Sequence, residues 1–283
     1  MENNSVFSVY NKTKERLKSF GIEDYGFEAR VIIRHITGFD NKKILMNYNY
    51  VIDDRQQNEL ERILEKRQAR YPLQYILGEW SFYGRTFKVG DGVLIPRSDT
   101  EVVVETALEL IGDIKNPHIL DLCAGSGAIG LTLALERRDS RVTLVEKFET
   151  PLKYAEENKK LNNVLNAECV KGDVLNGNFS ESKYDLIISN PPYVSIEDMK
   201  VLQPEVRYEP QEALCPGEDE LLFYKRIIEN YRHSLNPGGK ICFEVGIGEG
   251  KSVKELLSTA GFFEVGCKED YGEVDRVVFG TVK

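Results

Sequence analysis

From about residue 117 onward, short apolar runs alternate with amphipathic stretches, and this pattern restricts the fold more than any other feature of the chain. Ile119-Leu120 with Leu122, Val142–Val145, Leu186–Ile188 and Ile241–Phe243 are the apolar runs. Helix-like stretches such as Pro151–Leu161 and Leu221–Leu235 separate them. A strand–loop–helix repeat predicts parallel strands with helices on both faces of a sheet. Two late runs, Phe262–Cys267 and Arg276–Phe279, are divided only by turn residues. They predict an antiparallel pair closing one edge. The expected class is therefore α/β, with a mostly parallel sheet.

The first part of the chain follows another period. Ala29, Ile32, Ile33 and Ile36 recur at helical spacing before Gly38, a natural helix stop, and Leu60, Ile63 and Leu64 form a second such stripe. Between the two parts lies Tyr71–Thr100, rich in aromatic and β-branched residues around Gly84, which predicts a short hairpin. The expected organisation is a helical domain over 1–70, a hairpin linker over 71–100 and an α/β domain over 101–283.

Composition removes several function classes. The net charge of −9 argues against a general nucleic-acid binder, because phosphate contacts need clustered Lys and Arg. The charge is uneven: residues 1–85 carry 14 Lys/Arg against 12 Asp/Glu, so the acidic excess lies in the remainder. This leaves the N-terminal part suited to docking a charged partner. No apolar run reaches membrane-spanning length, and Met1–Tyr10 has no apolar export core. The five cysteines are widely spaced without a CxxC, which disfavours a disulfide framework or a metal site and fits a reducing, cytoplasmic setting.

The first apolar run of the α/β part leads into Asp121-Leu122-Cys123-Ala124-Gly125-Ser126-Gly127-Ala128-Ile129-Gly130. Glycines there permit a tight turn and close approach of the backbone to a ligand at the carboxyl ends of the strands. Gly125, Gly127 and Gly130 also satisfy the dinucleotide fingerprint, and Glu146, ending the next strand, suits ribose hydroxyls in either case. The loop alone therefore indicates an adenosine-containing cofactor. Asp121 favours a cationic sulfonium ligand over a nicotinamide. Asp173 and Val174, after the third strand, are placed to meet an adenine amino group and ring.

Asn190-Pro191-Pro192-Tyr193 directly follows the strand Asp185–Ser189 and is the sharpest chemical signal. An NH2 group conjugated to a carbonyl or ring is a poor nucleophile, since its lone pair is delocalised. Two acceptors fixed on its N–H groups favour the tetrahedral geometry and the positive charge that develop during methyl transfer. The Asn190 side-chain oxygen and the Pro191 carbonyl can be those acceptors. The prolines stiffen the loop, and Tyr193 offers a flat wall. No general base is required, because the alkylated nitrogen is itself acidic.

With these residues in hand, the chain resembles the HemK/PrmC family, the peptide chain release factor glutamine methyltransferases. The resemblance runs nearly end to end, through Gln74–Gly78, Leu94–Glu101, the glycine loop, Asn190–Tyr193, Tyr208-Glu209-Pro210, Asn236–Gly239, Glu244-Val245-Gly246 and Asp275–Val278. It implies a class I methyltransferase domain of Rossmann-like fold with a small helical N-terminal domain, using S-adenosyl-L-methionine. It also implies methylation of the glutamine in a Gly-Gly-Gln loop of class I release factors, the protein partner. By similarity Cys123, Ala124, Gly125, Ser126, Gly127 and Glu146 bind the cofactor. Asn190–Tyr193 hold the glutamine, and Asn190 also lies near the methyl donor. Cys123 stands where the family usually has glycine, and Glu146 where it more often has aspartate. Neighbouring activities share the loop: methylation of a ribosomal-protein glutamine, or of adenine N6 in nucleic acid.

Overall fold

The computed structural model describes residues 4–47, 49–177 and 182–283. The chain forms two compact units. One comprises Met1–Gly78 with Gln203–Tyr208, the other Glu79–Leu202 with Glu209–Lys283.

The first unit contains α1 (Val6–Ser19), α2 (Tyr25–Thr37), α3 (Asn41–Met46), α4 (Asp54–Gln68) and α5 (Leu73–Leu77). The two sequence stripes fall on α2 and α4, and both are buried in one core with Val6, Val9 and Leu17 of α1. Gly38 ends α2 in the left-handed conformation, as its position predicts. Asp53 and Gln56 form a reciprocal capping box on α4. The Arg67 guanidinium, 1% exposed, is held by Glu28 at 2.8 Å, by Glu205 at 2.9 Å and by the Tyr71 carbonyl. Arg70 also grips Glu205, at 2.7 Å. A buried guanidinium is tolerable only because its donors are met in this way.

The second unit opens with the hairpin β1 (Glu79–Phe82) and β2 (Arg85–Lys88). Tyr83 and Gly84 both take positive φ, which gives the turn the handedness a two-residue hairpin needs. Next come α6 (Glu101–Leu110), β3 (His118–Leu122), α7 (Ala128–Glu136), β4 (Arg141–Glu146), α8 (Glu149–Leu161), β5 (Ala167–Lys171) and β6 (Tyr184–Ser189). The unit ends with α9 (Leu222–Tyr231), β7 (Leu235–Glu244), α10 (Gly250–Thr259), β8 (Phe263–Glu269) and β9 (Asp275–Thr281). The large sheet has the order β5-β4-β3-β6-β7-β9-β8. Strands β3 to β7 run parallel, while β9 pairs antiparallel with both β7 and β8, so the expected edge pair is present.

Successive strand residues face opposite ways. Ile119, Leu186 and Ile188 pack with α6 and α7, whereas Leu120, Ile187 and Ile241 pack with α9 and α10. Both faces of the sheet are thereby covered, which is why its strands read as continuous apolar runs. Phe82 and Phe87 of the hairpin join the first of these cores, so the hairpin belongs to the second unit. Among the described residues no helix is long and apolar enough to cross a membrane.

Candidate active site

The carboxyl ends of β3, β4, β5 and β6 open on a cleft of about 430 Å³. Cys123, Gly125, Glu146, Asp173, Val174, Asn190 and Pro192 line it. Sequence reasoning drew these from four separate segments, and the parallel sheet brings them together. Its size lies within the usual range for small-ligand sites.

The β3–α7 turn is shaped by its backbone. Gly125 has a φ of 56°, and a Cβ there would meet no atom within 4 Å, so a ligand can lie against the bare chain. Gly130 serves packing instead: a Cβ would come within 2.7 Å of Asp121 Oδ2 and 2.8 Å of Leu144 Cγ. Cys123 adopts φ 61°, the left-handed region that glycine enters freely. Ala124 N–H donates to the Val145 carbonyl and Gly127 N–H to the Ala124 carbonyl. Ser126 is buried, and its carbonyl accepts from Asn158 Nδ2. Ala124, Ser126 and Gly127 thus shape the turn and stand outside the cleft lining.

Asp121 is 1% exposed and braces the turn from behind, its Oδ2 accepting from Gly130 N–H at 2.9 Å. Its Oδ1 has no hydrogen-bond partner, and burial pushes its pKa up to about 7, partly offset by the Gly130 bond. Glu146 ties two segments together. Gly125 N–H donates to its Oε2 and Phe148 N–H to its Oε1, each at 2.9 Å. Burial raises the Glu146 pKa, and the backbone donors of Phe148, Gly125 and Lys147 oppose the rise. Asp173 pairs with Lys147 at 2.9 Å and caps Leu175 N–H. Val174 is buried beside it.

The four-residue loop after β6 is held from three directions. The Asn190 Nδ2 donates to Thr100 Oγ1 at 3.4 Å. Tyr193 and Val194 N–H both donate to the Leu214 carbonyl, at 3.0 and 2.8 Å. The Tyr193 hydroxyl donates to Glu244 Oε1 at 3.1 Å. Pro191 is buried and Tyr193 half-buried; Pro192 and Asn190 reach the cleft lining, Pro191 and Tyr193 do not.

Several further residues support the site through contacts that no sequence spacing reveals. Phe148, Pro151, Leu94, Phe223 and the segment Pro210–Pro216 complete the walls. Glu209, 4% exposed, accepts from Ile95 N–H at 3.0 Å and pairs with Arg97 at 2.5 Å. Its partners lie more than a hundred residues away in sequence, so no spacing rule reveals them. Asn158, fully buried on α8, bonds both backbone groups of Lys88 and the Ser126 carbonyl. It clamps hairpin and turn through one amide.

Comparison with known proteins places the chain in a family. Residues 8–78 match the PrmC N-terminal domain and residues 100–208 the methyltransferase small domain. A release factor glutamine methyltransferase of Thermodesulfovibrio yellowstonii is 42% identical over 255 residues, covering 89% of this chain and 90% of that one. One from Fusobacterium nucleatum is 38% identical over 272 residues, covering 95% of this chain and 77% of that one. Among solved structures, the catalytic domain of hMettl16 in complex with an RNA hairpin superposes with a TM-score of 0.58 at 17% identity, covering 82% of this chain and 83% of that one. A methyltransferase from Pyrococcus furiosus gives 0.51 at 20% identity, covering 80% of this chain and 98% of that one. These two share the fold, whereas the curated relatives share sequence along both units. The chain belongs to the release factor glutamine methyltransferase family.

Proposed function

We propose that this chain transfers a methyl group from S-adenosyl-L-methionine to the side-chain amide nitrogen (N5) of the glutamine in the Gly-Gly-Gln loop of class I peptide chain release factors. One observation carries the reading: Asn190 and Pro192 border the same cleft as Glu146 and the bare backbone of Gly125. A methyl-accepting amide and an adenosine-bearing donor would therefore meet there.

The cleft suits that cofactor. Glu146 has lone pairs left for ribose hydroxyls beyond the two backbone donors it already accepts. Phe148, Pro151 and Val174 offer apolar faces to a purine, with Asp173 as an acceptor for its amino group. Asp121 braces the turn from behind, with one oxygen unpartnered. When bound, the cofactor supplies an electrophilic methyl group.

The chain's own residues then act on the acceptor. Asn190 Oδ1 and the Pro191 carbonyl take the two amide protons of the glutamine, which favours a pyramidal nitrogen and stabilises its growing charge. The tie of Tyr193 to Glu244 limits how its ring can turn against the substrate. The Leu214 carbonyl holds the loop by accepting from Tyr193 and Val194 N–H, so the acceptors are fixed before substrate arrives. The helical unit serves recognition. It exposes Phe7, Phe27, Leu45 and Met46, apolar surface of the kind that docks a folded protein. A three-residue loop alone gives too little contact area for a specific complex.

The test is labelled methyl transfer to a class I release factor, a ribosomal-protein fraction and DNA, offered separately. Label confined to release factor supports the reading. Label in DNA, or in ribosomal protein alone, overturns it.

A further inference from the structure

A tyrosine that serves as a wall for a flat amide works only if the plane of its ring is fixed. The Tyr193 hydroxyl donates to Glu244 Oε1 at 3.1 Å, which stops the far end of the side chain from swinging away. That bond leaves the plane free. The hydroxyl oxygen lies on the Cβ–Cγ axis about which the ring turns, so the ring can rotate while the bond stays made. The torsion about this axis has only a broad preference of its own. A contact at the ring edge is needed.

Gly246 supplies it. Ser189, the last residue of β6, pairs with Phe243 of β7, so Glu244 and the turn beyond it run beside the loop that carries Tyr193. A Cβ on Gly246 would come within 3.0 Å of Tyr193 Cδ2, an edge atom of the ring, and within 3.0 Å of Glu249 Oε2. Gly246 does not take positive φ, so its lack of a side chain serves this close approach and not the backbone conformation. The turn is itself held firmly. Gly246 N–H donates to Glu249 Oε2 at 2.9 Å, just before α10. The hydroxyl of Tyr224, a fully buried residue of α9, lies 3.0 Å from the same oxygen and 3.1 Å from the Glu244 carbonyl. Tyr193, Glu244 and Gly246 all stand outside the cleft lining, so a change among them should fall on the acceptor and spare the cofactor.

We propose that Gly246 is a positioning residue that sets the plane of the Tyr193 ring, with Glu244 holding the far end of the side chain. The inference rests on Tyr193 as a wall for the substrate amide.

The test is a double-mutant cycle of Gly246→Ala and Tyr193→Ala, read by single-turnover methyl transfer to release factor, with cofactor affinity by calorimetry. Gly246→Ala should slow transfer about tenfold, with cofactor affinity within about threefold of the parent, because the added methyl must turn or push the ring. In the Tyr193→Ala background, where no ring remains to be turned, the same substitution should change the rate by less than about twofold. Losses that multiply in the double variant overturn the proposal, since Gly246 would then act on something other than the ring. A parental rate for Gly246→Ala beside a slow Tyr193→Ala overturns it while sparing the wall. A parental rate for Tyr193→Ala removes the wall beneath it. Should Gly246→Ala fail to fold, Tyr193→Phe and Tyr193→Leu decide: phenylalanine keeps the flat edge against Gly246 and should lose severalfold less rate than leucine. Equal losses in those two would assign the effect to the hydroxyl and overturn the role of the ring plane.

Discussion

Replacing Glu146 by glutamine should damage cofactor binding as much as replacing it by alanine, although glutamine is nearly its isostere. Both carboxylate oxygens accept a backbone N–H, from Gly125 and from Phe148, each at 2.9 Å. A glutamine has one acceptor oxygen, so its NH2 must face one of those two donors. The variant loses one charge-assisted bond, about 1.5–3 kcal/mol, and leaves a part-buried N–H opposed by a donor, about 1–3 kcal/mol more. Alanine loses both bonds, but water entering the cleft can satisfy the two amides. Part of each loss falls on the free turn and part on the complex, so a fall in affinity of about tenfold to a hundredfold is expected for both variants. These contacts are made before and during the reaction alike, so kcat at saturating cofactor should change by less than about threefold. Titration calorimetry with S-adenosylmethionine and steady-state rates at varied cofactor decide the matter. Glu146→Gln binding with parental affinity would show that the two backbone ties do not shape the site. A collapse of kcat at saturation would place Glu146 in the chemical step instead.

Asn190→Ala should lose roughly a hundredfold or more in single-turnover rate while cofactor affinity stays within about an order of magnitude; near-normal turnover would remove the acceptor role. Asp121 has a folded pKa of about 7, raised by burial. Its protonated form therefore contributes stability that is complete below the ordinary carboxylate range and lost as pH rises through about 7. Asp121→Asn should raise the melting temperature of the cofactor-free chain more at about pH 8 than at about pH 5, and an equal shift at both would contradict the burial argument. For Glu205, desolvation raises the pKa but the hydrogen bonds from Arg70 and Arg67 outweigh it, so the net shift is downward. Its contribution should be present at neutral pH and fade as pH falls through that lowered value. Glu205→Gln should cost about 1.5–3 kcal/mol in denaturant unfolding near neutrality and much less in acid; a pH-independent cost would count against the ion pairs.

The parallel core was legible because strands buried on both faces have a signature that side-chain chemistry alone supplies. The four runs chosen from the sequence fall on β3, β4, β6 and β7. Helix α6 was not legible: Val102-Val103-Val104 is β-branched, and burial against the sheet and α7 overrides that local preference. The tight β3–α7 turn could be read from its glycines, and Cys123 in it takes a positive φ of the kind glycine enters freely. The depth of Asp121 could not be read, since a strand-end carboxylate looks the same whether it faces the cleft or braces the turn behind it. The contacts of Glu209, Asn158 and Thr100 could not be read because their partners are distant in sequence, and only the closed sheet brings them together.

The most direct test of the account is fragment-level mass spectrometry of a class I release factor after incubation with this chain and S-adenosylmethionine. The expected result is a single added methyl group, located on the side-chain amide of the Gly-Gly-Gln glutamine and absent when Asn190→Ala replaces the parent chain. A methyl group on any other residue, or an unmodified glutamine beside methylated DNA, would contradict it.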